Sequence, residues 1–552
     1  MNKTCFISIL LGFLLIGFQN KTAQSQTELD SPVLFVDRDY CVSGDTVWFK
    51  IFYPDNSYET GNVIRVQLDN KKNNLIANVA VLTHQNWANG YLHIPDSLST
   101  GQYFLTAYLN AHRNINDLQL ESKSLLVYNR FEEHVAKINI ADPSVFDDVK
   151  ENNNIVNINS ERTNYKTREN VKISFEFEEQ IIPEFALVKV ALIDPLAKQL
   201  ERKYAFKYQS LDLKIPDFAE NNGFLLSGQV TDKNGNPESG VLVLLSLSSE
   251  TPYLDYYLTD ENGNFHFYMK NAFGKTNIVL QTVGESLKDY HIKIQKNAII
   301  RSEDFSELSK ILENDQVDFI KNAIESSFVN KLFNPSITVQ QEDFIFPERF
   351  STPFYGQFDA RVFPAEFEDL PDFKEISREL LPGVQYRERN EEISIRLINN
   401  DRGMYFGKEP LRLINGIPVF DNKYFTPLKS TDIDYVDIVK DERIYGDLIM
   451  EGVFSVMLHD KSNSWLIKQP GLFRFETSFL QHNKEKVYSN SAISEPHYPD
   501  TRQVYYWELI NPENNNEIEF NLSDRKGRVE ILISGFKQNG EFFKSTKIIK
   551  VE

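Results

Sequence analysis

A mainly β chain, built as a multi-domain string of antiparallel β-sandwiches with one short helical segment and one small α+β unit, is what this sequence predicts. Three observations carry that expectation. Tyr (25) and Phe (41) are plentiful while Met (5) is scarce and Gly (24) modest, the side-chain stock of pleated, half-buried surfaces. Short runs of branched and aromatic residues, such as Val47–Tyr53, recur between Gly, Asn, Asp and Pro, the punctuation of strands and turns. At 552 residues the chain exceeds what one core can hold, so about three to five domains are expected.

The first 25 residues read as a signal peptide. Lys3 precedes the 14-residue apolar run Cys5–Phe18, and Ala23-Gln24-Ser25 fits cleavage after a small residue. That run suits a signal-peptide core and is short for a membrane span. The chain is therefore expected to be exported, to the periplasm or in association with an outer membrane. Cys5 lies too early to be a lipidated cysteine, so a lipoprotein is not expected. No later stretch reaches transmembrane length. Only Cys41 would remain after cleavage, which leaves no internal disulfide. Its apolar strand setting predicts a buried, inert thiol. Net charge is −20, and loss of Lys3 and Lys21 would leave −22. Such a field repels nucleic acid and anionic lipid.

The mature chain opens with "LFVDRDYCVSGDTVWFKIFYPD", a short strand, a Ser43-Gly44-Asp45 turn and a strong strand. Strands at "NVIRVQLD", "LIANVAVLT", "NGYLHIP" and "GQYFLTAYLN" follow, the layout of an antiparallel sandwich. The acidic-aromatic segment, "SGDTVWFKIFY" and "GQYFLTAYL" resemble the macroglobulin-type domains of the alpha-2-macroglobulin superfamily, over 28–130. "INSERTNYKTRENVKISFEF" repeats the layout, with Val171–Phe177 in strict alternation. A second sandwich of this type is expected at 150–222.

The next unit, 224–296, carries Gly228-Gln229-Val230-Thr231-Asp232, hairpin turns at Asn234-Gly235 and Asn262-Gly263, and an apolar strand Gly240–Leu245. In that order these resemble the carboxypeptidase regulatory-like domain, a small non-catalytic sandwich. The pattern then changes period. Val317, Ile320, Ile324, Phe328 and Leu332 step by three or four, predicting an amphipathic helix within 302–335, preceded by a shorter one capped by Ser302.

Residues 370–460 form the α+β unit. A helix ends at Leu380-Leu381 before Pro382-Gly383, and Ile393, Ile395 and Leu397 alternate as a strand. A hairpin turn follows at Asn415-Gly416, then the strand Asp432–Lys440, Tyr445-Gly446 and Gly452–Val456. This order resembles the plug domain of TonB-dependent outer-membrane receptors. A receptor would need a barrel of about 22 strands after its plug, and only 94 residues follow Leu458. The resemblance thus implies a plug-like module without its own pore, most simply a protein-contact domain. Its expected docking surface is Asn415, Gly416, Pro418, Tyr435, Tyr445 and Gly446. The last segment, 461–552, resembles a further macroglobulin-type sandwich, with "STKIIKV" as an edge strand or, in a rival reading, a sorting tail.

No catalytic constellation emerges. The Cys-Gly-Glu-Gln thioester of macroglobulins is absent, as are His-Glu-x-x-His, Gly-x-Ser-x-Gly, a Walker loop and Gly-x-Gly-x-x-Gly. The nine His are scattered. Asp232-Asn234-Asn236 and Asp260-Asn262-Asn264 imitate half a calcium loop, but position twelve is Val243 or Asn271 in place of Glu, so they read as turns. Asp37/Asp39 and Asp432/Asp434 read as solvated strand faces. The expectation is a non-enzymatic envelope scaffold or accessory subunit with no cofactor or metal. It would contact outer-membrane or periplasmic proteins, an outer-membrane barrel or its secretion and assembly machinery, and not nucleic acid. The alternative is a surface glycan- or peptide-binding protein using Tyr253, Tyr256 and Tyr257.

Overall fold

The computed structural model describes residues 31–552 except 54–60, 71, 73, 85, 133–134, 149–154, 178–182, 184, 211–222, 248–250, 284–289, 303, 334–351, 368, 391, 463–470, 485, 487–497, 514–515 and 538–540. The expected signal peptide lies outside the described residues. The chain is mainly β, a set of small sheets packed as sandwiches around separate cores.

In the first sandwich, Val33–Val36, Thr46–Phe52 and Trp87–His93 form one sheet. It faces a larger one that contains Val63–Asp69, Leu75–Leu82, Gly101–Leu109 and Leu118–Tyr128. Strand alternation sends Val47, Phe49 and Ile51 inward against Ile64, Val66, Leu68, Leu105 and Val127. Cys41 lies in this core, 1% exposed.

The second sandwich corrects the expected layout. The segments 150–222 and 461–552, expected as two separate sandwiches, contribute strands to a single one. Ala186–Leu192 is hydrogen-bonded on one side to Gly527–Phe536 and on the other to Val504–Ile510, so that Val190 lies opposite both Ile531 and Tyr506. Asn170–Phe177 likewise pairs with Glu517–Asn521 across the facing sheet. One core holds Val171, Ile173, Phe175, Val188 and Val190 together with Phe520, Ile531, Ile533 and Phe543. Neither half can bury its apolar face alone. The chain leaves this sandwich after Leu192 and returns at Val504. "STKIIKV" is part of its terminal strand Phe542–Val551, paired along its whole length with Gly527–Phe536.

The third sandwich packs Gly223–Thr231, Asn264–Lys270 and His291–Ile294 against Leu242–Leu247, Tyr253–Leu258 and Lys275–Val283. Leu472–Ser478 adds a strand to it from beyond the α+β unit. The two Asp-x-Asn-x-Asn segments are turns. Asp232 Oδ1 accepts from the amides of Asn234 and Asn236, and Asp260 Oδ1 from those of Asn262 and Asn264. Those carboxylates are occupied by their own loops.

The helix Asn314–Phe333 lies where expected but is rotated. Its inward line is Gln316, Ile320, Ala323 and Ser327; of the expected stripe, Val317 and Ile324 are half-buried against the same core as Ile320, whereas Phe328 and Leu332 are 65% and 61% exposed. Small residues allow close approach, and Ser327 Oγ donates to Asp45 at 2.5 Å. The shorter helix expected after Ser302 is instead the strand Glu307–Ile311, paired with Lys137–Ala141. Five residues of mixed polarity fit either period, and an available strand edge decides between them.

Between the third sandwich and that helix, the chain crosses the large sheet of the first sandwich. Gln67 brackets the Ile299 backbone with two hydrogen bonds of 3.0 and 3.1 Å. Arg301 is fully buried, 3.3 Å from Asp69, with its guanidinium 4.9 Å from the ring centres of Phe206 and Phe305.

Candidate contact surfaces

The α+β unit is a separate strand-and-helix body with its own core. Its sheet runs Ala360–Val362, Ile433–Val439, Val453–Leu458, Leu411–Ile414, Ile417–Pro418, and mixes parallel and antiparallel neighbours. The helix Phe373–Glu379 starts at Asp372, whose side chain accepts from the Glu375 amide. Phe373 and Ile376 pack on the inner sheet face, formed by Ile414, Val436, Ile438, Phe454 and Val456. The turn Asn415-Gly416 has φ of +50° and +77°, the left-handed pair that a two-residue hairpin requires.

Period-two alternation fixes what the other face carries: Leu413, Tyr435, Asp437, Val439, Val453 and Ser455. On half of this outer face, Leu413, Val439 and Val453 are covered by Tyr355 and Met450, packed together with Phe354 and Tyr445. Here the unit meets the third sandwich. The Tyr445 hydroxyl donates to the Leu254 carbonyl at 2.9 Å, and the Asp447 amide to the Tyr256 hydroxyl at 2.7 Å. The Phe354 amide donates to the Pro252 carbonyl, and Gln281 Nε2 to the Pro418 carbonyl. Val279 of the third sandwich lies in the unit's own core. A Cβ on Gly446 would overlap the Tyr256 hydroxyl, and one on Gly416 would come within 3.2 Å of Pro252.

These contacts relocate the expected docking residues. Gly416, Pro418, Tyr445 and Gly446 form an internal joint with the third sandwich. Asn415 is a structural residue: its side chain donates to the Asp460 carbonyl and accepts from the Leu458 amide. Turn residues were legible as turns, but their neighbour comes from a segment more than 130 positions away. Tyr435 alone faces elsewhere. The aromatic platform of the glycan reading is corrected as well: Tyr253 is 7% exposed and Tyr256 is held in the joint, while Tyr257 packs edge-on against His266.

Tyr435 belongs to a row on the remaining outer face. The Arg361 guanidinium lies 4.4 Å from the ring centre of Phe358 and 4.1 Å from that of Tyr435. Phe363 follows at 6.3 Å from Tyr435. Arg361 grips the buried Asp437 with two hydrogen bonds of 2.6 and 2.8 Å, and the Tyr355 hydroxyl donates to the same carboxylate at 2.9 Å. These bonds raise the Arg361 pKa above its usual value, and burial pushes the Tyr355 phenol up. Phe358 and Phe363 are each 39% exposed and Phe367 58%. Sequence reading passed over this row because its aromatics are separated by ordinary loop residues. The row flanks Ala360–Val362, the end strand of the sheet, which among the described residues pairs only with Ile433–Val439.

The acid and base candidates have structural partners. Asp37 accepts from the Trp48 amide and from Arg38, and Asp39 faces Lys189 at 3.2 Å. Asp432 accepts from the Lys429 amide, and Asp434 lies 3.7 Å from Lys461. Ser227 Oγ and His266 Nδ1 are 2.9 Å apart, but they are cross-strand neighbours and Ser227 is 2% exposed. Among the described residues no group of three His, Cys, Asp or Glu could hold a metal ion, and no helix is long and apolar enough to cross a membrane.

No family model and no curated protein sequence matches the chain. Solved structures that it matches include trypsin-activated alpha-2-macroglobulin from Escherichia coli, at 8% identity and a TM-score of 0.22 over 95% of this chain and 41% of that one. Salmonella alpha-2-macroglobulin reacted with methylamine matches at 9% identity and a TM-score of 0.23, over 95% and 39%. The Yersinia pseudotuberculosis adhesin InvE matches at 10% identity and a TM-score of 0.12, over 50% and 60%. The chain thus spans about two-fifths of the length of the macroglobulins. Scores this low carry no argument, and the β-sandwich fold rests on the sheets described above.

Proposed function

We propose that this chain is a non-catalytic contact protein of a bacterial envelope, which grips other envelope proteins through the outer face of its α+β unit. One observation carries the reading. That unit is keyed to the third sandwich on one half of its outer face, and on the other half it presents exposed aromatics beside a strand edge with no further strand partner among the described residues. Exposed aromatic rows at a sheet edge fit protein contact. The sandwiches serve as a rigid frame of macroglobulin type, and the plug-like unit is the business end. The positive, then apolar N-terminal run supports export.

Quantitative affinity capture from solubilised envelopes tests the reading. The intact chain is compared with Phe363→Asp, which charges the row without touching the joint. A partner retained by the intact chain and lost with Phe363→Asp supports the reading. Identical captured sets from the two chains contradict it. Cell fractionation tests the location, and recovery in the cytosol contradicts export.

A further inference from the structure

We infer that the partner segment seated on this edge is extended and basic, and that it adds as a strand beside Ala360–Val362. The inference rests on the contact reading above and deepens it to a chemical class.

Three observations point the same way. First, the strip already holds one cation. The Arg361 guanidinium lies 4.4 and 4.1 Å from the ring centres of Phe358 and Tyr435, so rings of this strip already act as cation acceptors, and Phe363 and Phe367 leave further exposed rings beside them. Its charge is met by Asp437, so Arg361 adds little positive field to the surface. Second, the rim is acidic. Glu366, Asp369 and Asp432 are exposed beside Phe363, Phe367 and Tyr435, and the turns 364–366 and 430–432 lie against each other. The half-buried Asp434 lies 3.7 Å from Lys461, and the other basic groups near the strip are Lys429 and Arg443, whose guanidinium donates to the Gln357 carbonyl. Third, the whole chain carries a net charge of −20, which steers basic partners toward it and slows acidic ones.

Strand addition follows from the edge itself. Ala360 and Val362 turn inward onto the unit's core, while Arg361 and Phe363 turn outward. A segment laid beside them with alternating apolar and basic side chains would extend the inner core with one set. The other set would meet the aromatic row and its acidic rim. Backbone hydrogen bonds supply affinity in this mode, and alternate side chains supply specificity.

The test uses the full-length chain and three synthetic probes: an alternating Lys-Val peptide, its Glu-Val counterpart, and a neutral oligosaccharide. Binding is read by fluorescence anisotropy, and the location by hydrogen–deuterium exchange over residues 358–367. The expected result is that the Lys-Val peptide binds, slows exchange over 358–367 and weakens as salt rises. The double reversal Glu366→Lys with Asp369→Lys should weaken it about tenfold. Both reversed side chains are exposed, so this variant keeps the test alive if Phe363→Asp disturbs folding. Equal or tighter protection by the Glu-Val peptide overturns the basic assignment and leaves the protein-contact reading standing. Protection by the oligosaccharide in place of both peptides overturns both. If no probe slows exchange at 358–367, the strand-addition inference falls, and envelope capture with Phe363→Asp decides the contact reading separately.

Discussion

Ile531→Ala tests whether the two distant halves of the second sandwich form one cooperative body. Ile531 is fully buried and lies opposite Val190 across the strand pair. Truncation removes three methylene equivalents, about 2.4 kcal/mol at about 0.8 kcal/mol each, and the cavity left behind adds about 1 kcal/mol. A loss of about 3 kcal/mol should speed exchange through cooperative opening about a hundredfold. The assay is hydrogen–deuterium exchange followed by peptide mass analysis. Because Val171, Ile173, Val188 and Val190 share a core with Ile531 and Ile533, exchange should rise in 156–192 as much as in 504–551. The first sandwich, which has its own core, should be affected far less. A rise confined to 504–551, with 156–192 still protected, would refute the composite sandwich and restore two independent ones.

Three further perturbations probe the joint, the strip and the crossing segment. Gly446→Ala places a Cβ against the Tyr256 hydroxyl at a left-handed residue (φ +57°); it should cost about 2–3 kcal/mol through strain and a lost hydrogen bond, seen as a lower thermal midpoint and faster proteolysis between the third sandwich and the α+β unit. Arg361→Ala leaves the buried Asp437 without its cation; since Arg361 is about a third exposed, the loss should be about 2–3 kcal/mol in urea unfolding, and Arg361→Lys should recover only part of it because an ammonium cannot make the paired bonds. Burial raises the Asp69 carboxyl from 3.8 to about 6, against the opposing pull of Arg301 and the Gln67 hydrogen bond. A folded value above the unfolded one means that the native state holds the proton more tightly. This contribution to stability is therefore full below about pH 4 and is lost as pH rises through about 6. Between about pH 4 and about pH 7 the intact chain should lose about 2 kcal/mol relative to Asp69→Asn, and a constant difference would contradict the assignment.

What could be read from the sequence was local. Asn415-Gly416 had to be a tight turn, because both residues need positive φ. Val171–Phe177 had to be a strand, because its alternation matches a pleat and nothing else. Partnership across distance was not legible. Ala186–Leu192 and Gly527–Phe536 are apolar central strands of ordinary composition, and nothing in either names the other. The same gap moved the expected contact site. Gly416, Tyr445 and Gly446 were visible as special residues, but their specialness serves a joint with Pro252, Leu254 and Tyr256. The helix rotated for a related reason: Ser326 and Ser327 are buried, so close packing and the Asp45 contact outweighed the stripe that Phe328 and Leu332 suggested.

Photo-crosslinking in the producing cells tests the central claim most directly. A photoreactive phenylalanine analogue is placed at Phe363, on the open row, or at Tyr445, in the joint. Adducts to a second polypeptide from position 363, with only internal crosslinks to the Leu254–Tyr256 region from position 445, are the expected result. Adducts to another protein from position 445 and none from 363 would contradict it.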